Sequence, residues 1–444
     1  MTYEETTDWL FTQLPVYQRQ GAAAMKKDLT NIRLLLAELG NPHEKLRCVH
    51  IGGTNGKGTV AHLIAAALQS NGHSVGLYTS PHYLDFRERI KINGLYISKE
   101  TVVERVNYMQ DMIARIRPSF FEITVALAFD YFAAQKVDWA VIEVGLGGRL
   151  DSTNVIDPVL SVITNISKDH TQFLGDTLPE IAREKAGIIK PGRPVVIGET
   201  QLETEGVFRE VANQPARPDG TLEEGAVPIY FADRLWSPGL ADQTLTHSYL
   251  NFAPFGQENY GLDYAIEETS PQITLNATTA FCALQILHGQ HGYQLLDHEL
   301  LSAWTNLRKL TGLMGRWQYL SHRPRIIVDS AHNEGGLRSA TEKLKALADG
   351  PEGEGLHIVL GVVNDKDLTT VLPLFPKAAS YYFVQASIER ALPAGNLAAV
   401  AAQYGLLGKV YSSVEAGLEV AKATASQNEV IYVGGSIFTA AEVL

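Results

Sequence analysis

The sequence predicts an α/β protein of two domains, each built on a mostly parallel sheet covered by helices. Three observations carry that reading. Short apolar runs rich in Val and Ile alternate with longer segments of helical spacing, as in sheets buried on both faces. The alternation is interrupted once, over about residues 201–271, and then resumes. At 444 residues the chain is also too long for one ordinary core.

The first strand is "LRCVHIGG" at 46–53, followed by a helix over about 57–71 and a strand "SVGLYTS" at 74–80. "VDWAVIEVG" (137–145), "VLSVITNIS" (159–167) and "PVVIGE" (194–199) read as further strands. "FFEITVALAFDYFAAQ" and "LPEIAREKAGIIK" have helical spacing. Over 201–271 Gly, Pro, Asp and Glu accumulate, with scattered aromatics in "IYFADRLW" and "LTHSYLNFAPF", which predicts irregular loops and a few antiparallel strands. Helical patterns return in "NATTAFCALQILHG" and "DHELLSAWTNLRKL". A second βα series follows "TGLMGRWQ": strands "RIIVDSA", "HIVLGVV", "SYYFVQA" and "EVIYVGGS", with helices that include "GLRSATEKLKALA" and "LAAVAAQYG". The expected division is a first domain over 1–311, a hinge over 312–317 and a second domain over 318–444, with a ligand-holding cleft between the domains.

Hydrophobic content of 45% and charged content of 19% fit a folded, soluble chain. The formal net charge is −12 and no basic block is present, so nucleic acid is not an expected partner. Anionic ligands must then be held by helix N-termini, metal ions and a few placed cations. No apolar run approaches the roughly 20 residues of a membrane span. The acidic start "MTYEETTDWLF" lacks the apolar stretch of a secretory signal. The two cysteines, Cys48 and Cys282, suit a reducing compartment and read as small buried hydrophobes. A cytoplasmic protein is expected.

Chemistry concentrates first at "GGTNGKGT", residues 52–59, where a strand runs into a glycine-rich loop and then a helix. Backbone N–H groups and the helix dipole there favour a phosphate chain. Lys57 supplies a point charge, and the Thr59 hydroxyl can ligate Mg²⁺. Gly58 separates Lys57 from Thr59, where the common phosphate-loop pattern sets them side by side. A glycine-rich turn without a ligand is the plainer alternative. Glu143 ends a predicted strand, where ligand-facing residues emerge in open parallel sheets, though a satisfied structural glutamate would read the same. Asp169 and His170 follow the next strand, and a lone histidine there is more often structural.

The ordered series "GTNGKGT", "TSPHYLDFRERI", "FEIT", "EVGLGGRLDSTN", "NISKDHTQFLG", "IAREKAGIIK", "GRWQ", "DSAHN" and "GGS" resembles the folylpolyglutamate synthase/dihydrofolate synthase family of the Mur ligase superfamily, from about residue 31 to 436. In that superfamily the loop is spelled with the extra glycine, so Gly58 is expected. The resemblance implies an N-terminal P-loop ATPase domain with a mostly parallel sheet and a small antiparallel region, then a C-terminal Rossmann-like α/β domain. It implies an ATP-dependent ligase that phosphorylates a carboxylate and lets an amine displace the phosphate. Its cofactors would be ATP and Mg²⁺, with K⁺ as a further cation, and its substrates dihydropteroate or a reduced folate plus L-glutamate, acted on by a monomer.

Residue by residue, the resemblance puts Gly53, Thr54, Asn55, Gly56, Lys57, Gly58 and Thr59 around the ATP phosphates. Thr59, Ser80, Glu143 and His170 would hold Mg²⁺. Lys185 matches a lysine carrying an N6-carboxylate, the alternative being an unmodified lysine paired with Glu184 or bound to a phosphate. Asn276 would contact adenine, and Arg316 and Asp329 the nucleotide, with His332 in an auxiliary positioning role. The chain departs from the usual pattern at Ser330 and Glu334. Phe121, Glu122, Ile123, Thr124, Leu150, Asp151 and Ser152 match pterin-lining segments. For Phe121 helix packing, and for Asp151 turn capping, are the competing readings. Residues 29–31 match another pterin stretch, and Ser387 and "NDKD" (364–367) match segments tied to the incoming glutamate. Rival readings are a peptidoglycan-precursor ligase, a P-loop switch or motor, and a non-catalytic folate-binding protein.

Overall fold

The computed structural model describes residues 1–13, 28–213, 227–257, 261–290, 292–348 and 355–444. The chain forms two compact units. One comprises Met1–Ala241, Tyr249–Ile266 and Thr274–Gly312; the other comprises Asp242–Ser248, Glu267–Ile273 and Leu313–Leu444.

The first unit is built on β1 (Cys48–Gly52), β2 (Val75–Tyr78), β3 (Ile90–Ile92), β4 (Leu95–Tyr96), β5 (Trp139–Glu143), β6 (Leu160–Ile163), β7 (Val195–Ile197) and β8 (Ile229–Phe231). Their order in the sheet is β4-β3-β2-β5-β1-β6-β7-β8. From β2 to β8 the neighbours are parallel, while β3 and β4 add an antiparallel edge. Every residue of β1, β2, β5, β6 and β7 is buried, which explains their continuous apolar runs. Between β1 and β2 runs the helix Lys57–Ser70, whose residues from Gly58 to Leu68 are all buried. Because β5 and β6 flank β1, the strand order turns at β1, where open α/β sheets place their ligands beyond the strands' carboxyl ends.

The described parts of 201–271 are more regular than the composition suggests, residues 214–226 and 258–260 lying outside the described residues. The helix Leu202–Ala212 buries Thr204, Val207, Phe208 and Ala212, and β8 continues the parallel sheet. That helix is short, and β8 has three residues, so neither rises above the surrounding Gly, Pro and acidic residues. The expected antiparallel strands follow as β9 (Trp236–Gln243), β10 (Ser248–Pro254) and β11 (Leu262–Ile266), ordered β11-β10-β9. Phe252 stacks on Phe281 of the helix Ile273–Leu287 at 4.8 Å, with Trp236 edge-on to the same ring. The predicted helix over 297–310 is broken at Asn306 into Asp297–Thr305 and Leu307–Thr311. Gly312 closes the second piece with φ +67, and Lys91 Nζ donates to the Thr311 and Gly312 carbonyls at 2.9 and 3.3 Å.

The second unit holds β12 (Gln318–His322), β13 (Arg325–Val328), β14 (Leu356–Leu360), β15 (Ser380–Phe383), β16 (Gly408–Val410) and β17 (Val430–Gly434), in the order β12-β13-β17-β14-β15-β16. Only β12 is antiparallel to its neighbour. Leu337, Leu344, Ile358, Phe383 and Leu397 are among the residues that pack its core. The pieces Asp242–Ser248 and Glu267–Ile273 are tied in by Lys343, on the helix Glu334–Ala348. Its Nζ donates to Gln243 Oε1 at 2.6 Å and to Thr269 O at 2.5 Å, and lies 5.0 Å from the centre of the Trp317 ring.

Both cysteines are buried and unpaired, as expected. No helix among the described residues is long and apolar enough to cross a membrane.

Candidate active site

The loop after β1 is braced by the segment that leaves β6. Thr54 N donates to Asn165 O at 2.8 Å, Asn55 N to Asn165 Oδ1 at 3.0 Å, and Thr164 Oγ1 to Asn55 O at 2.6 Å. Asn55 Nδ2 also reaches Ser167 Oγ at 3.0 Å. Two positions require glycine. Gly53 has φ +129, and a Cβ there would lie 2.0 Å from Thr164 Oγ1; Gly56 has φ +83, and its Cβ would lie 2.0 Å from Asn276 Oδ1. Lys57 heads the helix, with its Nζ folded onto Thr54 O at 3.1 Å. Gly58 and Thr59 follow, both buried in the first helical turn. Asn276 is brought against the loop from more than two hundred positions away in the chain, and its Oδ1 is buried with no partner among the described residues. Such an acceptor is suited to an amino group of a ligand.

Ser80 follows β2, and Glu143 ends the adjacent β5. Ser80 N donates to Glu143 Oε2 at 2.9 Å, and the Glu143 residue is 4% exposed. His170, after β6, adopts φ +50 at the head of the helix Thr171–Leu174, with Nε2 3.7 Å from Asp169 Oδ2. Among the described residues no three His, Cys, Asp or Glu side chains converge as a metal cage. A hard cation here would therefore draw on one carboxylate, hydroxyl oxygens, phosphate and water, the donor set that suits Mg²⁺. Thr59, Ser80 and Glu143 supply such oxygens.

Lys185 lies on the helix Leu178–Ala186, fully buried, and its Nζ donates to Gly53 O at 2.9 Å, across 132 positions of sequence. Burial first, and then the Lys57 charge, pull its pKa down to about 7, against the opposing influence of Asp169 and Asp151. It is not paired with Glu184, whose carboxylate accepts from Arg149 at 2.9 Å.

The two segments expected to line a pterin divide. Phe121 is half-buried, and its ring fills the space where a Cβ of Gly145 would lie 2.3 Å away. Glu122 instead closes a capping box, accepting from Ser119 N at 2.7 Å and Ser119 Oγ at 2.8 Å. Ile123 is in the core, and Thr124 Oγ1 bonds Phe120 O at 2.8 Å within its own helix. Ile123 and Thr124 are thus buried in packing, and one turn of helix presents its four consecutive residues in different directions. Asp151 caps the turn Ser152–Val155, accepting from Thr153 N at 3.0 Å and from Leu146 N at 2.8 Å. Burial raises its pKa, and these hydrogen bonds oppose the rise. Leu150 is half-buried beside it, and Ser152 is buried. Leu29 precedes the helix Thr30–Glu38, and Asn31 Nδ2 reaches Arg117 O at 3.4 Å.

In the second unit, Asp329 follows β13 and is buried. Its Oδ2 accepts from Trp317 N and its Oδ1 from Ala331 N, both at 2.9 Å. Burial raises the Asp329 pKa, countered by those two N–H groups and by Arg316 and His332. The carboxylate therefore fixes the turn that carries Arg316. His332 is half-buried, its Nδ1 3.0 Å from Ser330 O. Glu334 pairs with Arg338 at 2.7 Å. The segments 364–367 and 384–390 meet: Arg390 pairs with Asp365 at 2.5 Å, and Asn364 N donates to Arg390 O at 2.9 Å. Ser387 N donates to the Glu442 carboxylate.

Comparison with known proteins bears on this arrangement. Residues 51–216 match the family model described as Mur ligase middle domain, and 315–437 the one described as Mur ligase, glutamate ligase domain. The chain is similar to the dihydrofolate synthase/folylpolyglutamate synthase of Bacillus subtilis, 32% identical over 403 residues that make up 88% of each chain. This chain belongs to the dihydrofolate synthase/folylpolyglutamate synthase family. It is similar in structure to Escherichia coli FolC in complex with DHPP and ADP, with a TM-score of 0.82 and 26% identity over 100% of this chain and 97% of that one. It is likewise similar to the Yersinia pestis bifunctional enzyme complexed with AMPPNP and Mn ion: TM-score 0.80, 25% identity, 100% and 97% covered.

For a member of the folylpolyglutamate synthase family, one cation beside the candidate site escaped sequence reasoning. Arg89 is buried, acts on Glu143 electrostatically, lies over the Phe120 ring and donates from Nε to His82 Nδ1 at 2.7 Å. Its signal was present in "FRERI", where a charge enters a strand edge, but nothing local says which arginine turns inward.

Proposed function

We propose that this ligase adds L-glutamate to dihydropteroate, to the γ-carboxyl of a folate, or to both, at the expense of ATP. The observation that carries the reading is the convergence of Lys57, Lys185 and the Ser80–Glu143 pair around a phosphate-type loop at the carboxyl edge of one parallel sheet. The residues 53–59 cradle the ATP phosphates, and Asn276 meets the adenine amino group. Thr59, Ser80, Glu143 and His170 would hold Mg²⁺, which supplies charge neutralisation to the phosphates. A substrate carboxylate oxygen attacks the γ-phosphorus and ADP leaves. The amine of glutamate then attacks the acyl carbon, phosphate leaves and the nitrogen loses a proton. No protein nucleophile is required; the chain's residues position the groups and stabilise charge. In this reading Arg316, Asp329 and His332 serve the nucleotide, and the segments around Arg390 serve glutamate. Phe121 and Asp151 border the pterin.

Phosphate release in the presence of ATP and Mg²⁺ should require both a pterin substrate and L-glutamate. Product mass spectrometry with each pterin identifies which one accepts glutamate. ATP turnover indifferent to both additions would overturn the reading.

Lys185 is assigned as an N6-carboxylysine. Its neutral amine adds to CO₂, a proton leaves, and a cation beside the metal ligands becomes an anion. The neutral fraction grows as pH rises through the pKa of about 7. From pH 6 to pH 8 the neutral amine grows about tenfold, and because carbamate formation also releases a proton, loading at fixed dissolved CO₂ should increase by well over tenfold until the site saturates. A ¹³C-carbamate resonance after ¹³CO₂ labelling measures it, and its absence throughout that range would leave Lys185 as a plain ammonium donor.

A further inference from the structure

His50 sits in the middle of β1, three residues before Gly53, with no exposed surface. Its Nε2 lies 2.9 Å from Thr153 Oγ1, and Thr153 Oγ1 donates to Asp151 Oδ1 at 2.6 Å. A hydroxyl has one proton, and an ionised carboxylate only accepts. With that proton given to Asp151, Thr153 can receive only from the ring. The ring must then carry its hydrogen on Nε2. Nδ1 is left bare, and it is buried with no partner among the described residues. Burial, aided by Lys190, holds the His50 pKa down to about 3, which keeps the ring neutral.

An apolar side chain at this place would avoid the orphaned nitrogen and its desolvation cost. The one thing histidine adds is the N–H aimed at Thr153. Asp151, at the other end of the chain of bonds, holds Leu146 N with its second oxygen. It thereby shapes the loop that leaves β5 after Glu143. We infer that His50 is a positioning residue that orients Asp151 through Thr153, joining the strand that carries the phosphate loop to the turn that borders the pterin. The inference rests on the pterin role given to Asp151 above.

Nitrogen-15 spectra of the full-length protein read the tautomer directly. The expected result is an Nε2–H, bare-Nδ1 ring for His50. In steady-state kinetics, Thr153→Val and His50→Leu should each raise the KM for the pterin substrate about tenfold, with the KM for ATP changed by less than about twofold. Thr153→Ser and His50→Gln, which keep a hydroxyl and an N–H donor, should restore most of the loss. If His50→Leu fails to fold, the Thr153 pair carries the test. An Nδ1–H tautomer overturns the inference whatever the activity. An Nε2–H tautomer with unchanged pterin KM in Thr153→Val overturns its functional half. A wild-type protein without glutamate-dependent turnover counts against the proposed function, and the tautomer still decides the chain of hydrogen bonds.

Discussion

Lys57→Ala should lower pterin- and glutamate-dependent phosphate release by about a thousandfold, the size of effect seen when a preorganised charge at a phosphoryl-transfer site is removed. The ammonium is held over the loop by Thr54 O at 3.1 Å, so little reorganisation separates this position from one on the outer phosphates. The backbone N–H groups of residues 53–59 survive the substitution, and so does Asn276. Nucleotide binding should therefore weaken far less than turnover, which calorimetry with a non-hydrolysable ATP analogue measures. Lys57→Arg should not rescue, because a planar fork does not replace a compact ammonium in a loop whose glycines leave no spare room. Activity within about tenfold of wild type for the alanine variant would remove the loop from the mechanism.

A second large effect is expected from Glu143→Gln, about a thousandfold in turnover. The amide keeps the shape and still offers an oxygen to Ser80 N, which the carboxylate now binds at 2.9 Å. What is lost is the charge at the place assigned to Mg²⁺. The 4% exposed charge sheds its own desolvation cost, but the buried Arg89 loses a compensating anion, so Tm should fall rather than rise while activity collapses. The Mg²⁺ concentration for half-maximal activity should increase in the same variant. Unchanged activity and metal dependence would mean that Glu143 is a structural residue of the β2–β5 edge.

Legibility followed the range of the interaction. The phosphate loop could be read because its requirements are consecutive: two glycines at positive φ, a lysine and a hydroxyl, all between a strand and a helix. Glu143 was readable for a similar reason, as a charge at the end of an apolar run. In the "FEIT" segment the motif is written in a line whereas a helix turns its residues to different faces. Of its four residues Phe121 borders Gly145, and Glu122 serves the helix start. Arg89 and His82 could not be separated from neighbouring surface charges, since strand edges carry both kinds.

By itself, the sequence determined the local periodicities that make these strands and helices, the phosphate loop and the chemical character of the site. Those depend on neighbours within a turn or a strand. Tertiary structure decided that Lys185 touches Gly53, that Asn276 lies on Gly56, and that His50 reaches Asp151 through Thr153. It also decided that Lys343 draws two pieces of the 201–271 stretch into the second unit. Each of these pairs residues far apart in the chain, and each forms only because surrounding apolar burial stabilises it. "GGTNGKGT" specifies a glycine-rich strand-to-helix loop; the fold brings Lys185 and Asn276 against it and sets Glu143 on the strand beside it.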